Sequence, residues 1–274
     1  MLWAVAFRVS NFSQMILRRL GNKQAIAQDI IKYFPEHKIY VEPFFGAGGM
    51  FFNKPKADVN ILNDLDSDVF NLFQVVLNNK NDLKTLFLSM PYHSDLMEYW
   101  KKNKENDPIK KSIRFLFLSN FSYLGKQDML CLSSTKKTQY YYDFEYNLDK
   151  TYNKIFACQF ANYDFRKFIK SIEFQTDGRN NEAKTFIYAD PPYLNQTSTY
   201  SDNGWNENDC SDLFDSLIES KCKFAYSEFD HPFILEQAKQ RNLNVTIIGE
   251  RQNLKNRRTE ILITNYEKQK GLFD

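Results

Sequence analysis

Lys38-Ile39-Tyr40-Val41-Glu42-Pro43-Phe44-Phe45-Gly46-Ala47-Gly48-Gly49 is the stretch on which the fold reading turns. A strand-like run ends in an acidic residue and enters a glycine-rich turn, and a helix is expected next. Glycine accepts positive φ and lets a backbone approach a ligand closely. In parallel sheets, strands of this kind carry nucleoside sites at their carboxyl ends. Upstream, Ile26, Ile30 and Phe34 recur at helical spacing, and Pro35 closes that helix. Downstream, Asn60-Ile61-Leu62-Asn63 reads as a second short strand, followed by Asp64, eighteen positions after Gly46. That spacing suits a carboxylate accepting hydrogen bonds from ribose hydroxyls. The turn is not GxGxxG, and a tight strand–helix turn without a ligand reads the same way. Asp66 or Ser67 then caps a helix with Val69, Leu72, Phe73 and Val76 on one face.

The second informative stretch is Thr185-Phe186-Ile187-Tyr188-Ala189-Asp190-Pro191-Pro192-Tyr193. A buried-strand run ends in an acid, two prolines and an aromatic ring. Consecutive prolines donate no backbone hydrogen bond and stiffen the chain, which fixes Asp190 and the neighbouring carbonyls in space. A carboxylate, a rigid carbonyl and an aromatic plate suit a planar heterocyclic amine. The plainer alternative is a proline-rich surface loop with a capping aspartate.

Further along, Leu213, Phe214, Leu217 and Ile218 mark a helix, Cys222–Ser227 a strand, and Pro232 the start of another helix. Val245–Ile248 and Glu260–Thr264 close the pattern, read as a hairpin. Strands alternating with helices imply a three-layer α/β fold with a largely parallel sheet. Residues 78–150 break this rhythm. They are rich in Lys, Asn and Tyr, with helical patterns at Leu83–Leu88 and Ile113–Leu118 and irregular polar sequence through Tyr140-Tyr141-Tyr142. We read them as an insertion into an α/β unit formed by 16–77 and 151–274.

Composition narrows the options. The chain has 274 residues, 43% hydrophobic and 26% charged, and reads as globular. Mean hydropathy is −0.55, with no apolar run of ~18 residues, so no membrane span is expected. Leu2–Phe7 is too short for a secretory core and reads as an N-terminal extension ahead of Met15, an alternative start. Four cysteines without CxxC spacing and three histidines make a poor metal set, so no metal is expected and reduced, cytoplasmic thiols are. The net charge of +2 hides asymmetry: residues 1–23 hold four basic residues and no acid, and residues 78–158 hold thirteen Lys and Arg against nine Asp and Glu. Local positive faces serve nucleic-acid binding, although solvated surfaces make them too.

At Glu42–Gly48 and Asp190–Tyr193 the chain resembles the Dam-type DNA adenine methyltransferases, which use S-adenosylmethionine. The resemblance runs in order through most of residues 16–266. Leu20-Gly21-Asn22-Lys23 is similar to the family's N-terminal cofactor segment, with Asn22 in place of a glycine. Glu42-Pro43-Phe44-Phe45-Gly46-Ala47-Gly48 resembles the main cofactor loop and Asn63-Asp64 the ribose-binding acid. Asn162-Tyr163-Asp164-Phe165 resembles the segment that meets the cofactor's adenine, and Asp190-Pro191-Pro192-Tyr193 the catalytic motif. Thr259–Tyr266 resembles the closing strand, a fold element. The order of cofactor loop, insertion and DPPY is that of the group to which Dam belongs, in which the insertion reads the target. Leu118–Lys126 resembles the family's stretch there, but Ser119, Asn120 and Leu124 depart from its pattern.

The resemblance implies a Rossmann-like methyltransferase fold with helices on both sheet faces and a mostly helical target-recognition insertion. It implies S-adenosylmethionine as cofactor and double-stranded DNA as partner, in a monomeric, cytoplasmic, nucleoid-associated protein that a restriction endonuclease accompanies in some relatives. Catalysis falls to Asp190, Pro191, Pro192 and Tyr193. Cofactor contacts fall to Gly21, Asn22, Lys23, Phe44, Phe45, Gly46, Ala47, Gly48, Glu42, Pro43, Asp64, Asp164, Phe165 and Asp190. Candidate DNA contacts are Asn120, Tyr123, Lys126, Lys136, Lys137, Lys255, Arg257 and Arg258. Competing readings are another acceptor amine (RNA adenine, cytosine or a glutamine side chain), a nucleotide-dependent oxidoreductase, and a DNA-binding module without activity. The last two leave DPPY without a role.

Overall fold

The computed structural model describes residues 15–19, 21–122, 127–132, 138–176, 178–194, 204–252 and 257–267. The expected first strand is β1 (Ile39–Glu42), at the centre of a seven-stranded sheet. On one side it pairs in parallel with β2 (Val59–Asn63), which pairs in parallel with β3 (Gln159–Ala161). On the other side it pairs in parallel with β6 (Thr185–Ala189), with Val41 opposite Ile187. β7 (Lys223–Phe229) continues in parallel, and β9 (Arg257–Thr264) runs antiparallel between β7 and β8 (Asn244–Gln252). A small hairpin of β4 (Gln175–Thr176) and β5 (Arg179–Asn180) stands apart. The chain leaves β1 toward β2 and later builds outward from β6. The β1–β6 seam is therefore a topological switch point, where open α/β sheets form a crevice.

Side chains alternate across the strands and split the core in two. Tyr40, Phe186, Tyr188, Ala225 and Leu262 face one cluster; Val41, Ile187, Ala189, Phe224, Tyr226, Ile261 and Ile263 face the other. The second face is covered by α7 (Phe165–Lys170), α8 (Glu207–Glu219) and α9 (Pro232–Gln240). Asn206 opens α8 with a complete capping box to Asp209. The first face carries α1 (Ala27–Ile31) and α2 (Ser67–Asn78), whose N-cap is Asp66. It also carries α3 (Lys80–Ser89), α4 (Ser94–Lys102), α5 (Pro108–Phe121) and α6 (Thr138–Ile155). The inserted helices share one apolar cluster with this sheet face: Phe87 stacks on Phe144 at 3.8 Å, and Phe117 meets Phe121 edge-on at 5.2 Å.

Two local expectations fail. The end of the tract expected to be irregular, from Thr138 through Tyr142, belongs to α6, which runs across position 150. Its stripe of Phe144, Leu148, Thr151 and Ile155 is buried, at helical spacing, behind a polar outer face. The helix expected after the glycine turn is only a single turn of 3₁₀ helix, Phe51–Asn53. Pro55 disfavours helical backbone at the residue before it, and Lys54 is extended (φ −107°, ψ 159°). Among the described residues no helix is long and apolar enough to cross a membrane.

Candidate active site

Parallel pairing brings Glu42, Asp64 and Asp190 to one rim, at the carboxyl ends of β1, β2 and β6. The turn after β1 is built by hydrogen bonds to its neighbours. Phe45 N–H donates to the Asn63 carbonyl (2.8 Å) and Gly46 N–H to Asp64 Oδ2 (2.6 Å). Asp66 N–H donates to Asp64 Oδ1 (2.8 Å). The Asn63 amide clasps two loops at once, donating to the carbonyls of Pro43 and Tyr163 and accepting from Tyr163 N–H, each at 2.9 Å. Asn162 Nδ2 donates to the Asp64 carbonyl at 2.7 Å. Residues 162–165 are thereby stitched against Asp64.

Gly46 and Gly48 adopt left-handed backbone, with φ of +55° and +75°. A Cβ on Gly48 would lie 2.5 Å from the Phe52 ring, and one on Gly49 would lie 2.1 Å from Asn22 Oδ1. These two glycines are required by packing. At Gly46, and at Gly21 (φ +86°), a Cβ would meet nothing within 4 Å among the described residues, which leave the space beside the backbone open there.

The DPPY corner is held from the N-terminal segment and from β9. Lys23, 2% exposed, lies 3.2 Å from Asp190 Oδ1 and 2.6 Å from Glu260 Oε1. Tyr193 donates its hydroxyl to the same Glu260 oxygen at 2.5 Å. Its ring meets Phe229 edge-on at 4.5 Å, with the Lys23 ammonium 4.2 Å from its centroid. Tyr193 is thus turned inward, and only 7% of its surface is exposed. Burial pushes the Glu42 carboxyl well above its ordinary range; the Tyr40 hydroxyl bonded to it (2.7 Å) opposes that rise and the charge of Asp190 adds to it. Burial also raises Asp64, opposed by Arg19 and by the N–H groups of Asp66 and Gly46. Burial lowers Lys54, near Glu42, to about 8.

Other expected site residues take definite positions. Asn22 caps its own 3₁₀ turn by accepting from Gln24 N–H at 3.0 Å. Ala47 is buried in the turn. Phe44 packs on Phe165 (5.5 Å) and edge-on to Trp205 (5.6 Å). The Phe45 ring points into the core, 4.9 Å from Phe73, so its side chain does not line the crevice; its backbone serves the turn instead. Asp164 is the N-cap of α7, accepting from Arg166 N–H at 2.9 Å, and pairs with the Arg166 guanidinium at 3.1 Å. Asn120 is tied to the chain ahead of the site: it accepts from Arg18 N–H (2.9 Å) and donates to the Ile16 carbonyl (3.0 Å). The Arg258 guanidinium lies 5.4 Å from the Phe229 ring centroid. Tyr123, Lys126, Lys136, Lys137 and Lys255 lie outside the described residues, and Arg257 is described only by its backbone pairing with Gln252. Four lysines of the basic insertion are already paired: Lys80 with Asp149, Lys84 with Glu145, Lys101 with Glu98, and Lys111 with Asp68.

Two residues at this rim escaped the sequence reading. Glu260 passed as part of a closing strand, although an acid inside Thr259-Glu260-Ile261-Leu262-Ile263 was a signal. Trp205 sits just ahead of α8 with no motif around it. An open hollow at Tyr33, Asn244, Thr246, Thr264 and Tyr266 lies at the opposite end of the sheet and joins none of these groups.

Comparison with known proteins places the chain in a family. The family model of D12 class N6 adenine-specific DNA methyltransferases matches residues 20–265. The DNA adenine methylase of Haemophilus influenzae is 30% identical over 213 residues, covering 70% of this chain and 68% of its own. The DNA adenine methylase of Escherichia coli K12 is 23% identical over 254 residues, covering 85% and 87%. That of Serratia marcescens is 26% identical over 211 residues, covering 73% and 74%. Among solved structures, Trm5b from Pyrococcus abyssi covers 90% of this chain and 49% of its own at 13% identity and a TM-score of 0.36, too loose a likeness to inform the fold. With a match spanning both halves of the sheet and the DPPY corner between them, the chain belongs to the D12 class of N6 adenine-specific DNA methyltransferases.

Proposed function

We propose that the β1–β6 crevice holds S-adenosylmethionine beside an extruded adenine, and that Asp190 is the group that engages the adenine amine. One observation carries the reading: Asp190 stands at the end of β6, next to the glycine turn of β1 and two strands from Asp64. The open space at Gly21 and Gly46 fits a ligand lying close to the backbone. Asp64 beside that space is an acceptor for ribose hydroxyls, and Asp164 and exposed Tyr163 border the stitched loop on the adenine side. When bound, the cofactor supplies a methyl group on a positively charged sulfur, an electrophile that a neutral amine can attack.

The chain's own task is to make the amine attack. An adenine amino lone pair is delocalised into its ring, and in a duplex the amine is paired. Extruding the base costs ~ a few kcal/mol. Stacking on an aromatic plate offsets ~1–3 kcal/mol of that. Tyr193 is the motif's aromatic ring, and because Glu260, Phe229 and Lys23 hold it inward at 7% exposure, serving as that plate requires it to turn toward the incoming base. Asp190 and the Pro191 carbonyl accept the two N–H bonds, draw the nitrogen toward pyramidal geometry and free its lone pair. Asp190 or solvent takes the proton released afterward. Positioning and preorganised charge carry the rate. The helical layer over 78–150 is the surface for reading DNA, with Lys126, Lys136, Lys137, Lys255, Arg257 and Arg258 as phosphate or base contacts.

The test is Asp190→Ala. Tritiated methyl incorporation into duplex DNA should vanish while equilibrium dialysis finds cofactor binding largely intact. Wild-type incorporation by the variant would refute the assignment, and incorporation by the wild type into RNA in preference to duplex DNA would favour the RNA alternative.

A further inference from the structure

We propose that Glu260 is a positioning residue for methyl transfer: it holds the Lys23 ammonium and the Tyr193 hydroxyl, so that the ammonium does not take over the Asp190 oxygen that meets the substrate amine. The inference rests on Asp190 as the acceptor in the reading above. Its geometry is uneven. Lys23 is 2.6 Å from Glu260 but 3.2 Å from Asp190, so the tighter contact is with the carboxylate outside the motif. A single oxygen, Glu260 Oε1, takes both Lys23 and the Tyr193 hydroxyl. Glu260 is the hub, and the two arms reaching it are a residue of the N-terminal segment and the last residue of DPPY.

Lys23 and Glu260 are both buried, at 2% and 1% exposure. An interior ion pair is weak evidence for stability, because apolar replacements of similar volume are often as good. The remainder of this strand is apolar inward: Ile261, Leu262 and Ile263 are all buried. A carboxylate here costs desolvation, and what it gains is control of a cation beside Asp190. An ammonium has three donors and no acceptor. With Glu260 neutral, Lys23 would turn fully to Asp190 and occupy the oxygen that must accept the adenine N–H.

The experiment compares wild type, Asp190→Ala, Glu260→Gln and the double variant Lys23→Met/Glu260→Gln at saturating cofactor and DNA. Glutamine keeps the size and an acceptor for Tyr193 but removes the charge. In Glu260→Gln, kcat should fall about 10- to 100-fold, the range of one hydrogen bond to a charged group, with cofactor Kd changed by about twofold or less. Removing the ammonium as well should recover part of the loss, raising kcat roughly tenfold above the single variant. A merely structural role lowers the fraction of folded, cofactor-binding protein and leaves kcat per cofactor-binding site unchanged, so every rate is referred to sites counted by equilibrium dialysis. Wild-type kcat in Glu260→Gln, or a double variant no faster than the single, overturns the inference while an inactive Asp190→Ala leaves the parent reading standing. An active Asp190→Ala overturns both. Should Glu260→Gln fail to fold, Glu260→Asp retracts the carboxylate by one methylene and keeps its charge, and unchanged kcat there overturns the inference equally.

Discussion

Glu228→Gln should stabilise this protein at pH 8 far more than at pH 5. Glu228 lies on β7 with no exposed surface, accepting Phe229 N–H at 2.9 Å. Burial pushes its carboxyl up from 4.5 to about 8, against the opposing pulls of Phe229 N–H and Lys23. The unfolded chain releases this proton near pH 4.5, whereas the folded chain keeps it until about pH 8. The folded state therefore binds more protons in that window, and stability falls as pH rises through it. One unit is worth about 1.4 kcal/mol, so the loss between pH 5 and pH 8 is roughly 3 kcal/mol. For a chain of this size that corresponds to about 6–12 °C in Tm. Glutamine preserves the shape and the carbonyl acceptor and does not ionise. The buried carboxyls of Glu42 and Asp64 are present in both proteins and cancel in the difference. Calorimetric melts of both proteins at pH 5, 6, 7 and 8 read it directly. The Tm gap should widen with pH in favour of the variant. A constant gap, or a variant that melts lower at pH 8, refutes the argument.

Asp64→Ala removes the acceptor of two backbone N–H groups and the proposed ribose partner, so cofactor affinity by calorimetry should drop by at least about tenfold. An unchanged Kd would rule out the ribose role. Gly48→Ala combines left-handed φ with a Cβ that overlaps the Phe52 and Phe45 rings, and should cost roughly 2–4 kcal/mol in denaturant unfolding. Gly46→Ala meets only the backbone penalty, about 1–2 kcal/mol, and equal losses in the two would contradict the packing argument. Asn120→Ala removes both side-chain bonds to the 15–19 segment, costing about 1–2 kcal/mol and accelerating hydrogen exchange at Arg18. Loss of DNA affinity with exchange at Arg18 unchanged would instead make Asn120 a DNA contact.

Much of the architecture was legible because it is written in local period and punctuation. The runs at 39–42 and 185–189 lie beside each other with their acidic ends at one rim, and the closing hairpin pairs as expected. Legibility failed where composition and geometry diverged. The Tyr-rich tract looked irregular because α6 buries one narrow stripe and leaves the rest polar. The helix after Gly49 stopped short because Pro55 dictates the backbone of Lys54. Phe45 looked like a crevice residue, but its ring completes a cluster with Phe51, Phe73 and Phe160 that only the folded sheet assembles.

Chain order alone determined which chemical groups stand at strand ends: an acid before a glycine turn, an acid after the second strand, and an acid locked by two prolines. Periodicity of two places a residue on a face or at an end, and no further knowledge of partners is needed for that. What surrounds Asp190 was decided only in three dimensions. Lys23 and Glu260 are 237 positions apart, and only the insertion of β9 beside β7 brings the glutamate to the DPPY corner. The strength of a charge contact depends on distance and burial, and neither is written in the order of residues.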